Sequence, residues 1–437
     1  MAWILNCCYL ALACVASPWI LYQAWRKGKY REGYAEKLLG RVPQRVGDGP
    51  CVWLHAVSAG EVNLVVSLLK VLQARHPDVE YFVSTTTKTG HAIATSKLTQ
   101  CTVFYCPLDF SWAVRAAMRR VRPTVLVLSE LELWPNLIWS AEQSGASVCV
   151  INGRLSAKSY RGYRRCKPLV ASVLRSIDRI AVQNATYAER FRDLGATAEQ
   201  VVVTGSMKYD GACTRRENIE TLRLGMLAGI TRDDVVFLAG STQAPEEERA
   251  LATYLALREQ FPELRLILVP RHPERFEAVA RMLQQAPVEW QRRSELDGTR
   301  NAAARVLLVD AMGELGAWWG TAEIAFVGGS MGSRGGQNMI EPAAYGAAVS
   351  FGPNTRNFRD IVSHMLAADA AVVVHDQADL TAFVARCLGD ADFQQDLGLR
   401  AQRLVQQNLG ATDKTVALLE PLMLPDLEAE KRLRQAG

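Results

Sequence analysis

The stretch HAVSAGEV (55–62) places a carboxylate directly after an apolar run, CVWL (51–54). Glu61 follows Ser58 at the Ser-x-x-Glu spacing of a capping box, in which the two side chains bind free backbone N–H groups at a helix start. It also follows a predicted strand, and α/β proteins bind their ligands at the carboxyl ends of strands. The residues alone therefore leave two interpretations of Glu61 open, a helix cap and a general base.

Two more charged stretches follow predicted strands in the first half of the chain. SELELWPNL (129–137) ends a strand with Glu130 and Glu132, and the sequence does not decide which carboxylate faces a site. TGSMKYD (204–210) brings Lys208 to another strand end. A lone lysine is usually a solvated surface charge, but beside an anionic substrate it can stabilise developing negative charge.

The glycine-rich stretch VGGSMGSRGGQNMIEPAAYGA (327–347) is the most specific motif in the second half. It follows a predicted strand and leads into a helix near Ile340. Glycine lets backbone N–H groups approach a ligand closely, and a helix N-terminus favours anions. Asn338 and Glu341 add polar groups, and a carboxylate here can accept hydrogen bonds from ribose hydroxyls. The stretch predicts a nucleotide-binding loop, with a flexible loop before an ordinary helix as the alternative.

Two other strand ends in the second half carry polar residues. LVPRHPERF (268–276) contains Arg271 and His272, which can bind a phosphate or a base edge because arginine offers a rigid fork of donors. A polar turn fixed by two prolines is the alternative. AGSTQAPEEE (239–248) suits a phosphate near Ser241, and helix capping is an equal rival.

DAMGELGAWWG (310–320) is the last candidate stretch. Met312 and Gly313 can offer backbone groups to a base, and Glu314 can complete the pocket. Taken alone, the stretch is more typical of a loop that starts a helix.

The first 25 residues carry no charged side chain, and about 20 apolar residues suffice for a helix to cross a bilayer. We predict a single transmembrane anchor at 1–25, with a helix in the membrane interface or a buried helix as alternatives. Basic residues follow at once, and the positive-inside rule then places the rest of the chain in the cytoplasm. These residues are Arg26, Lys27, Lys29 and Arg31. The basic segment 27–41 also suits an anionic lipid surface.

Beyond the anchor, β-branched runs alternate with amphipathic stretches in two sets, over 52–205 and 235–375. This alternation predicts crossover units and parallel sheets. We therefore expect two doubly wound Rossmann-like α/β domains facing a cleft, at 26–210 and 211–437, with a last helix that can return to the first domain. The more polar residues 211–232 are expected to connect them.

The composition does not indicate a nucleic-acid-binding protein or a zinc-binding protein. The 437 residues are 49% hydrophobic and carry a formal net charge of +5, which does not by itself argue for nucleic acid. Ten cysteines form no C-x-x-C pair and no cluster with zinc spacing. We expect a reduced cytoplasmic body without a structural metal or a cofactor.

Together these motifs resemble the Kdo (3-deoxy-D-manno-octulosonic acid) transferase family over roughly residues 1–420. Those enzymes have the two-domain GT-B fold and use CMP-Kdo to glycosylate the lipid A precursor of lipopolysaccharide. The motifs that carry the resemblance are, in chain order, HAVSAGEV, SELELWPNL, NGRLS, TGSMK, GSTQ, PRHPERF, MGEL and GGQNMIEPAAYG.

The resemblance implies a function and a role for each site residue. The function is inverting transfer of Kdo from CMP-Kdo to lipid IVA at the cytoplasmic side of a bacterial inner membrane, without a metal. Glu61 resembles the catalytic base, and Glu130 and Lys208 match positions that support the transition state. The positions that match CMP contacts are Arg271, His272, Met312, Gly313, Glu314, Asn338, Met339, Ile340 and Glu341.

The chain departs from the family pattern at two places. Gln337 stands in GGQN where relatives usually have GGHN, and Gln243 stands where a histidine is familiar. Glutamine can donate a hydrogen bond but carries no charge. A phosphate contact that needs a cationic histidine is therefore in doubt, whereas Asn338 and Glu341 are intact.

Three rival functions remain open from the sequence. They are a GT-B nucleotide-sugar epimerase, another membrane-anchored glycosyltransferase, and a non-catalytic nucleotide-sugar binding module. The number of Kdo residues transferred, their linkages and the oligomeric state are not predicted.

Overall fold

The computed structural model of the protein describes residues 2–27, 32–296 and 301–424. The chain forms two compact units, which we call unit 1 (Met1–Asp210 and Leu409–Gly437) and unit 2 (Gly211–Asn408). Lys29 and Arg31, which belong to the predicted basic segment, lie outside the described residues, as do residues 425–437 of the predicted second domain.

Unit 1 alternates strands and helices along the chain. Its strands are β1 (Cys51–His55), β2 (Glu80–Thr85), β3 (Thr102–Tyr105), β4 (Val125–Ser129), β5 (Ser147–Gly153), β6 (Arg179–Val182) and β7 (Val201–Val203). Its helices are α1 (Ala2–Lys27), α2 (Tyr34–Leu39), α3 (Ala59–Arg75), α4 (Lys88–Lys97), α5 (Ser111–Val121), α6 (Pro135–Gln143), α7 (Ala157–Arg164), α8 (Lys167–Arg175) and α9 (Ala185–Asp193).

The strands described in unit 1 form one parallel sheet in the order β3-β2-β1-β4-β5-β6-β7. Every residue of β1 and β4 is buried, as expected for strands covered on both faces by crossover helices. The strand order reverses between β1 and β4. Such a switch point is where doubly wound sheets bind ligands, and the segments that follow β1 and β4 lie at its carboxyl edge.

The N-terminal helix α1 is a candidate membrane segment. Within the described residues, Ala2–Trp19 is the one stretch long and apolar enough to cross a bilayer, with a mean hydropathy of 1.4. Only 6% of this stretch is buried in the protein. Length and composition therefore fit an anchor, and they do not by themselves fix its path through or along a membrane.

Unit 2 repeats the same architecture. Its strands are β8 (Val235–Thr242), β9 (Leu264–Pro270), β10 (Trp290–Arg292), β11 (Val306–Leu308), β12 (Ile324–Val327), β13 (Ala348–Phe351) and β14 (Val372–Val373). Its helices are α10 (Ile219–Ala228), α11 (Glu246–Leu257), α12 (Phe276–Gln284), α13 (Leu315–Trp318), α14 (Ile340–Ala344), α15 (Arg359–Ala367), α16 (Gln377–Gly389) and α17 (Ala391–Asn408).

The second sheet is also parallel throughout its described strands, in the order β10-β11-β9-β8-β12-β13-β14. The strand order reverses between β8 and β12. The segments after β8, β9 and β12 carry three of the stretches that the sequence analysis selected, and they follow adjacent strands at one edge of the sheet.

Two helices near the boundaries between the units bear on the domain predictions. Residues 211–232, expected to be a polar connection, contain α10, which begins where the Asn218 side chain accepts a hydrogen bond from Thr221 N at 2.9 Å. The last described helix, α18 (Ala411–Met423), belongs to unit 1 and packs on α3, β5 and β6. The Asp210 side chain caps the start of this helix, where it accepts hydrogen bonds from Gly410 N at 2.7 Å and from Thr412 N.

Candidate active site

Three carboxylates share the carboxyl edge of the sheet in unit 1. Glu61 lies in the first turn of α3, directly after β1, whereas Glu130 and Glu132 follow β4. The charges of these side chains act on one another, because Glu130 raises the pKa of Glu61 and Glu61 raises the pKa of Glu132. The structure therefore brings both glutamates of SELELWPNL into one group with Glu61.

Glu61 has the capping-box geometry that its spacing predicts. The Ser58 side chain accepts from Glu61 N, and the Glu61 carboxylate accepts from Ser58 Oγ at 2.7 Å, Ser58 N at 3.3 Å and Val57 N at 3.0 Å. Burial raises the pKa of Glu61 and these hydrogen bonds oppose it. A carboxylate with a raised pKa is a better proton acceptor when ionised. The cap is thus present, and the general-base role stays a prediction.

Glu130 has an unusual backbone conformation. Its φ of 55° lies in the left-handed region, which costs a non-glycine residue on the order of 1–3 kcal/mol. Glu130 N donates to Ile151 O at 2.9 Å, so pairing with the neighbouring chain continues through the turn. The turn directs its carboxylate to Lys208, whose Nζ lies 3.1 Å from Glu130 Oε1. Strain held at a charged pair on the ligand edge of a sheet is typical of functional sites.

Among these three glutamates, Glu132 has the largest shift in pKa. Burial, followed by the charges of Glu61 and Glu130, raises its pKa to about 7, and a hydrogen bond from Trp134 opposes the rise. Trp134 Nε1 donates to Glu132 Oε2 at 2.8 Å. Close to neutral pH, Glu132 can therefore hold or release a proton within the group.

Lys208 is positioned through β5 and the segment after β7. Asn152 in β5 is buried with a φ of 52°, and its side chain accepts from Met207 N at 3.2 Å. Gln183 Nε2 donates to Asn152 O at 3.0 Å. These polar contacts fix the backbone beside Lys208, and the ion pair with Glu130 holds its ammonium group at the sheet edge.

Unit 2 has a cavity of about 500 Å³ at the carboxyl edge of its own sheet. This volume lies within the range of about 300–1,000 Å³ that is usual for small-molecule sites. Five of the positions that match CMP contacts line it, namely Arg271, Met312, Gly313, Asn338 and Glu341, and so does Ser241. The described lining also includes Gln337, the residue that stands in place of the familiar histidine.

Asn338 and Glu341 form a polar pair in this cavity. Asn338 Nδ2 donates to Glu341 Oε1 at 3.0 Å, and Asn338 Oδ1 accepts from Ile340 N at 3.1 Å. Burial raises the pKa of Glu341, whereas Asn338 and the nearby charge of Arg271 oppose the rise. The pair presents an oriented carboxylate acceptor, as binding of vicinal hydroxyls requires.

Four other residues selected from the sequence lie outside the described lining of the cavity. The Glu314 carboxylate accepts two hydrogen bonds from Arg293, at 2.9 Å each, and one from Trp318 at 3.2 Å. Met339 and Ile340 are buried in the core, and His272, the chain neighbour of Arg271, is partly exposed. For these residues the structure shows a packing or surface role, and a ligand contact remains a prediction.

Glu246 is a residue of the site that the sequence analysis did not select. It is 1% exposed at the start of α11, and its carboxylate accepts from four backbone N–H groups. The donors are Gln243 N at 2.9 Å, Gly329 N at 2.7 Å, Ser330 N at 2.9 Å and Met331 N at 2.9 Å. The first part of the glycine loop therefore surrounds a carboxylate of the protein itself.

Two glycines permit this tight arrangement. A Cβ at Gly328 would lie 2.6 Å from Thr242 Cα and 2.8 Å from Glu246 Oε2. A Cβ at Gly240 would lie 2.4 Å from the Trp319 ring, which lines the cavity. Only glycine fits at either position, so these glycines serve packing between the strand ends.

Across the described ranges, no group of three or more His, Cys, Asp or Glu side chains is arranged to hold a metal ion. His55, at the end of β1, is buried against Ser84, with Nδ1 at 2.9 Å from Ser84 Oγ. Burial lowers its pKa to about 4, which favours the neutral imidazole near neutral pH.

Comparison with known proteins places these features in context. The family described as 3-deoxy-D-manno-octulosonic-acid transferase (kdotransferase) matches residues 31–211. A 3-deoxy-D-manno-octulosonic acid transferase of Haemophilus influenzae is 32% identical over 425 residues, covering 95% of each chain. The enzyme of that name from Bordetella pertussis is 32% identical over 417 residues, covering 92% of this chain and 95% of its own.

Solved structures of low sequence identity share the fold. UDP-GlcNAc 2-epimerase from Neisseria meningitidis, bound to UDP-GlcNAc, aligns with a TM-score of 0.54 at 12% identity, covering 84% of this chain and 99% of its own. A glycosyltransferase from Rickettsia africae aligns with a TM-score of 0.53 at 10% identity, covering 86% of this chain and 99% of its own. These similarities show a GT-B-like α/β fold and nothing about the substrate.

Proposed function

Since this chain belongs to the 3-deoxy-D-manno-octulosonic acid (Kdo) transferase family and is a glycosyltransferase, we propose that it transfers Kdo from CMP-Kdo to the lipid A precursor lipid IVA. The observation that carries the proposal is the group of Glu61, Glu130 and Glu132 with Lys208 at the switch point of unit 1. A binding module has no need of three interacting carboxylates beside an ion pair at a strained turn. A proton transfer does.

We assign the donor nucleotide to the cavity of unit 2. The Glu341 carboxylate, oriented by Asn338, is suited to accept hydrogen bonds from the ribose hydroxyls of CMP. Arg271 lines the same cavity and can bind the phosphate. Backbone groups at Met312 and Gly313 are open to the base. The four N–H groups bound by Glu246 are not available to that phosphate, so we assign its binding to side chains such as Arg271.

We assign proton removal to Glu61. The acceptor hydroxyl oxygen forms a bond to the anomeric carbon of Kdo on the face opposite CMP, so the configuration inverts. The bond from that carbon to the phosphate oxygen breaks, and its electron pair leaves with CMP. Glu61 takes the hydroxyl proton, while Glu130 holds Lys208 where it can stabilise developing negative charge.

We propose that both units work on the cytoplasmic side of the inner membrane and that α1 attaches them to it. The acceptor is a lipid, and an enzyme held at the bilayer meets it in two dimensions. The basic residues after α1 support the cytoplasmic side by the positive-inside rule.

The test compares the Glu61→Gln variant with the wild type. Each is incubated with CMP-Kdo and lipid IVA, and the masses of the lipid products are measured by mass spectrometry. Glutamine keeps an acceptor oxygen for the cap but is not a base. We expect transfer to fall by about 10²–10⁴-fold, the usual share of general-base catalysis. CMP-Kdo binding and the fold should be retained. The mass of the wild-type product also counts the Kdo residues transferred.

Ser58→Ala is the matched control, because it removes the cap hydroxyl and leaves the carboxylate. We expect it to cost about 1 kcal/mol of stability and to retain most of the transfer activity. Transfer by Glu61→Gln within a few-fold of wild type would assign Glu61 to capping alone. Incubation with UDP-GlcNAc tests epimerase activity, and turnover of that sugar without an acceptor would replace the transferase proposal.

A further inference from the structure

The first turns of α1 are bonded to unit 1 by polar side chains. Asn6 Nδ2 donates to Ser111 Oγ at 2.8 Å, and Asn6 Oδ1 accepts from Ser111 N at 3.0 Å. Tyr9 OH donates to Asp109 Oδ2 at 2.9 Å. Asn6 is 3% exposed, although it belongs to a helix whose other side chains are mostly exposed. These contacts join α1 to the segment that opens α5.

The chain that follows α1 returns to this same segment. Leu108 N donates to Lys37 O at 2.8 Å, and Trp112 Nε1 donates to Leu38 O at 2.9 Å. The first turns of α1 and the chain that follows α1 therefore both contact the segment Leu108–Trp112. A compact α/β unit lies on one side of a membrane, so both contacts must be on that side.

Helix length makes this arrangement incompatible with a crossing. The stretch from Asn6 to Lys27 spans about 31 Å at about 1.5 Å per residue. The hydrocarbon core of a bilayer is about 30 Å thick. If α1 crossed it, Asn6 and Tyr9 would lie on the far side, about a bilayer away from Ser111 and Asp109. A crossing helix is the prediction from the sequence, and these hydrogen bonds favour its alternative.

We propose that α1 lies along one leaflet of an anionic bilayer instead of crossing it, held to unit 1 by Asn6 and Tyr9. The inference rests on the membrane attachment proposed above and replaces its crossing form. Attachment to one leaflet keeps the N-terminus and both units on the same side.

The surface around α1 has the chemistry of a membrane interface. Exposed aromatic residues are spread along the helix, with Trp3 82% and Trp25 78% exposed. Helix α5, which contacts α1, and helix α2, which contacts α5, add exposed apolar residues, namely Trp112 of α5 and Leu38 and Leu39 of α2. Tryptophan is typical of the headgroup level of bilayers.

Charge on α5 matches the same partner. Arg115 and Arg119 are exposed at positions three and seven residues after Trp112, which places the three side chains along one side of the helix. Both arginines also line a groove of about 450 Å³. Each basic residue near an anionic surface adds about 1 kcal/mol of attraction. An aromatic and apolar surface bordered by arginines fits lipid headgroups better than a protein partner or bulk water.

The contact between α1 and the segment Leu108–Trp112 also extends to α6, the helix that follows Glu130 and Glu132. Asp109 accepts from Tyr9 and also from Asn136 N at 3.1 Å and Leu137 N at 2.8 Å, which begin α6. Phe110 packs edge-on against Tyr9, with ring centroids 6.1 Å apart, and stacks on Trp112 at 4.6 Å. The start of α6 and the membrane-facing helix are therefore parts of one rigid contact within unit 1.

Thiol cross-linking of the full chain in membrane vesicles tests the proposal. The pair Asn6→Cys and Ser111→Cys is introduced after Cys7, Cys8 and Cys14 are replaced by serine, and a short thiol cross-linker is added. Linked peptides are then identified by mass spectrometry. The matched control pair is Trp25→Cys and Ser111→Cys, since residue 25 lies about 28 Å along the helix from residue 6 at about 1.5 Å per residue.

We expect the 6–111 pair to link efficiently and the 25–111 pair to remain unlinked. Linking of 25–111 without 6–111, or of neither pair, would overturn the in-plane arrangement. A specific protease site in a tag placed before Ala2 gives an independent readout. Cleavage in inside-out vesicles and protection in spheroplasts support the proposal, whereas the reverse pattern establishes a crossing helix.

The two proposals fail in distinguishable ways. Recovery of the wild-type chain in the soluble fraction at physiological salt would refute membrane attachment itself, together with the in-plane arrangement. Recovery in the membrane with a periplasmic tag would refute only the in-plane arrangement and leave attachment standing.

Discussion

Removal of the Glu132 carboxylate should change stability in a pH-dependent way. In the folded protein, burial and the charges of Glu61 and Glu130 raise the pKa of Glu132 from 4.5 to about 7. The folded state therefore binds this proton more tightly than the unfolded chain. Below the unfolded pKa both states are protonated and the group contributes nothing. As the pH rises towards 7, the unfolded chain loses its proton first, so ionisation disfavours the folded state.

The size of the effect follows from the pKa difference. At about 1.4 kcal/mol per pH unit, it corresponds to at most about 3 kcal/mol above pH 7. Glu132 is partly exposed, and solvent screening reduces this to about 1–2 kcal/mol. Glu132→Gln removes the ionisation, and its amide oxygen can still accept from Trp134 Nε1. We therefore expect the variant to be more stable than wild type at pH 8 by about 1–2 kcal/mol, with no such gain at pH 4.5.

Thermal unfolding of the full chain at the two pH values measures this difference. For a unit of this size, 1 kcal/mol corresponds to a change in Tm of about 2–4 °C, so a gain of roughly 2–8 °C is expected at pH 8. Glu189→Gln on α9 is the matched control, because Glu189 is exposed in the same unit. A gain of equal size at both pH values would refute the reasoning that burial and neighbouring carboxylates perturb Glu132.

Three further predictions concern the rest of the site. Glu246→Gln should destabilise unit 2 by about 2–3 kcal/mol, because charge-assisted hydrogen bonds are lost. It should also speed hydrogen exchange at Gly329–Met331. The control Glu248→Gln changes an exposed glutamate of the same helix and should have neither effect. Lys208→Ala should lower kcat by about 10²-fold or more, and a kcat within a few-fold of wild type would contradict its role in stabilising developing charge. Glu341→Ala should weaken CMP binding by about tenfold or more, as expected for loss of a buried, charge-assisted contact. Glu314→Gln should lower stability while sparing affinity, and equal loss of affinity in both variants would show that Glu314 also contacts the nucleotide.

The sheets could be predicted from the sequence because buried parallel strands are continuous β-branched runs. TVLVLSE became β4 (Val125–Ser129), and EIAFVGGS became β12 (Ile324–Val327). Helix α10 could not be predicted in the same way. It contains Gly225 and a mixture of polar and apolar residues, and it forms because Asn218 and Gly229 define its ends.

The cluster of Glu61, Glu130 and Glu132 shows the limit of predicting side-chain direction from strand alternation. Strand alternation predicts that Glu130 and Glu132 point to one side only if the chain stays extended. At Glu130 the backbone turns into the left-handed region, so the alternation rule no longer applies. Both side chains join the Glu61 group through this turn, and the sequence alone left that choice open.

Partners that are distant in sequence account for what was missed in unit 2. Arg293 binds Glu314 from 21 residues away, and Glu246 binds Gly329 N from 83 residues away. Neither pairing has a signature in local spacing. A window of hydropathy likewise averages over Asn6 and Tyr9, although these two polar residues determine what α1 contacts.

The four hydrogen bonds that Glu246 accepts have a consequence for how a donor enters unit 2. A loop that becomes ordered only around its ligand loses conformational entropy at that moment, which weakens and slows association. Here the internal carboxylate has already ordered the turn when the polypeptide folds. The nucleotide should therefore bind to a preformed site. We expect single-exponential association kinetics and little change in heat capacity beyond that of the buried ligand surface.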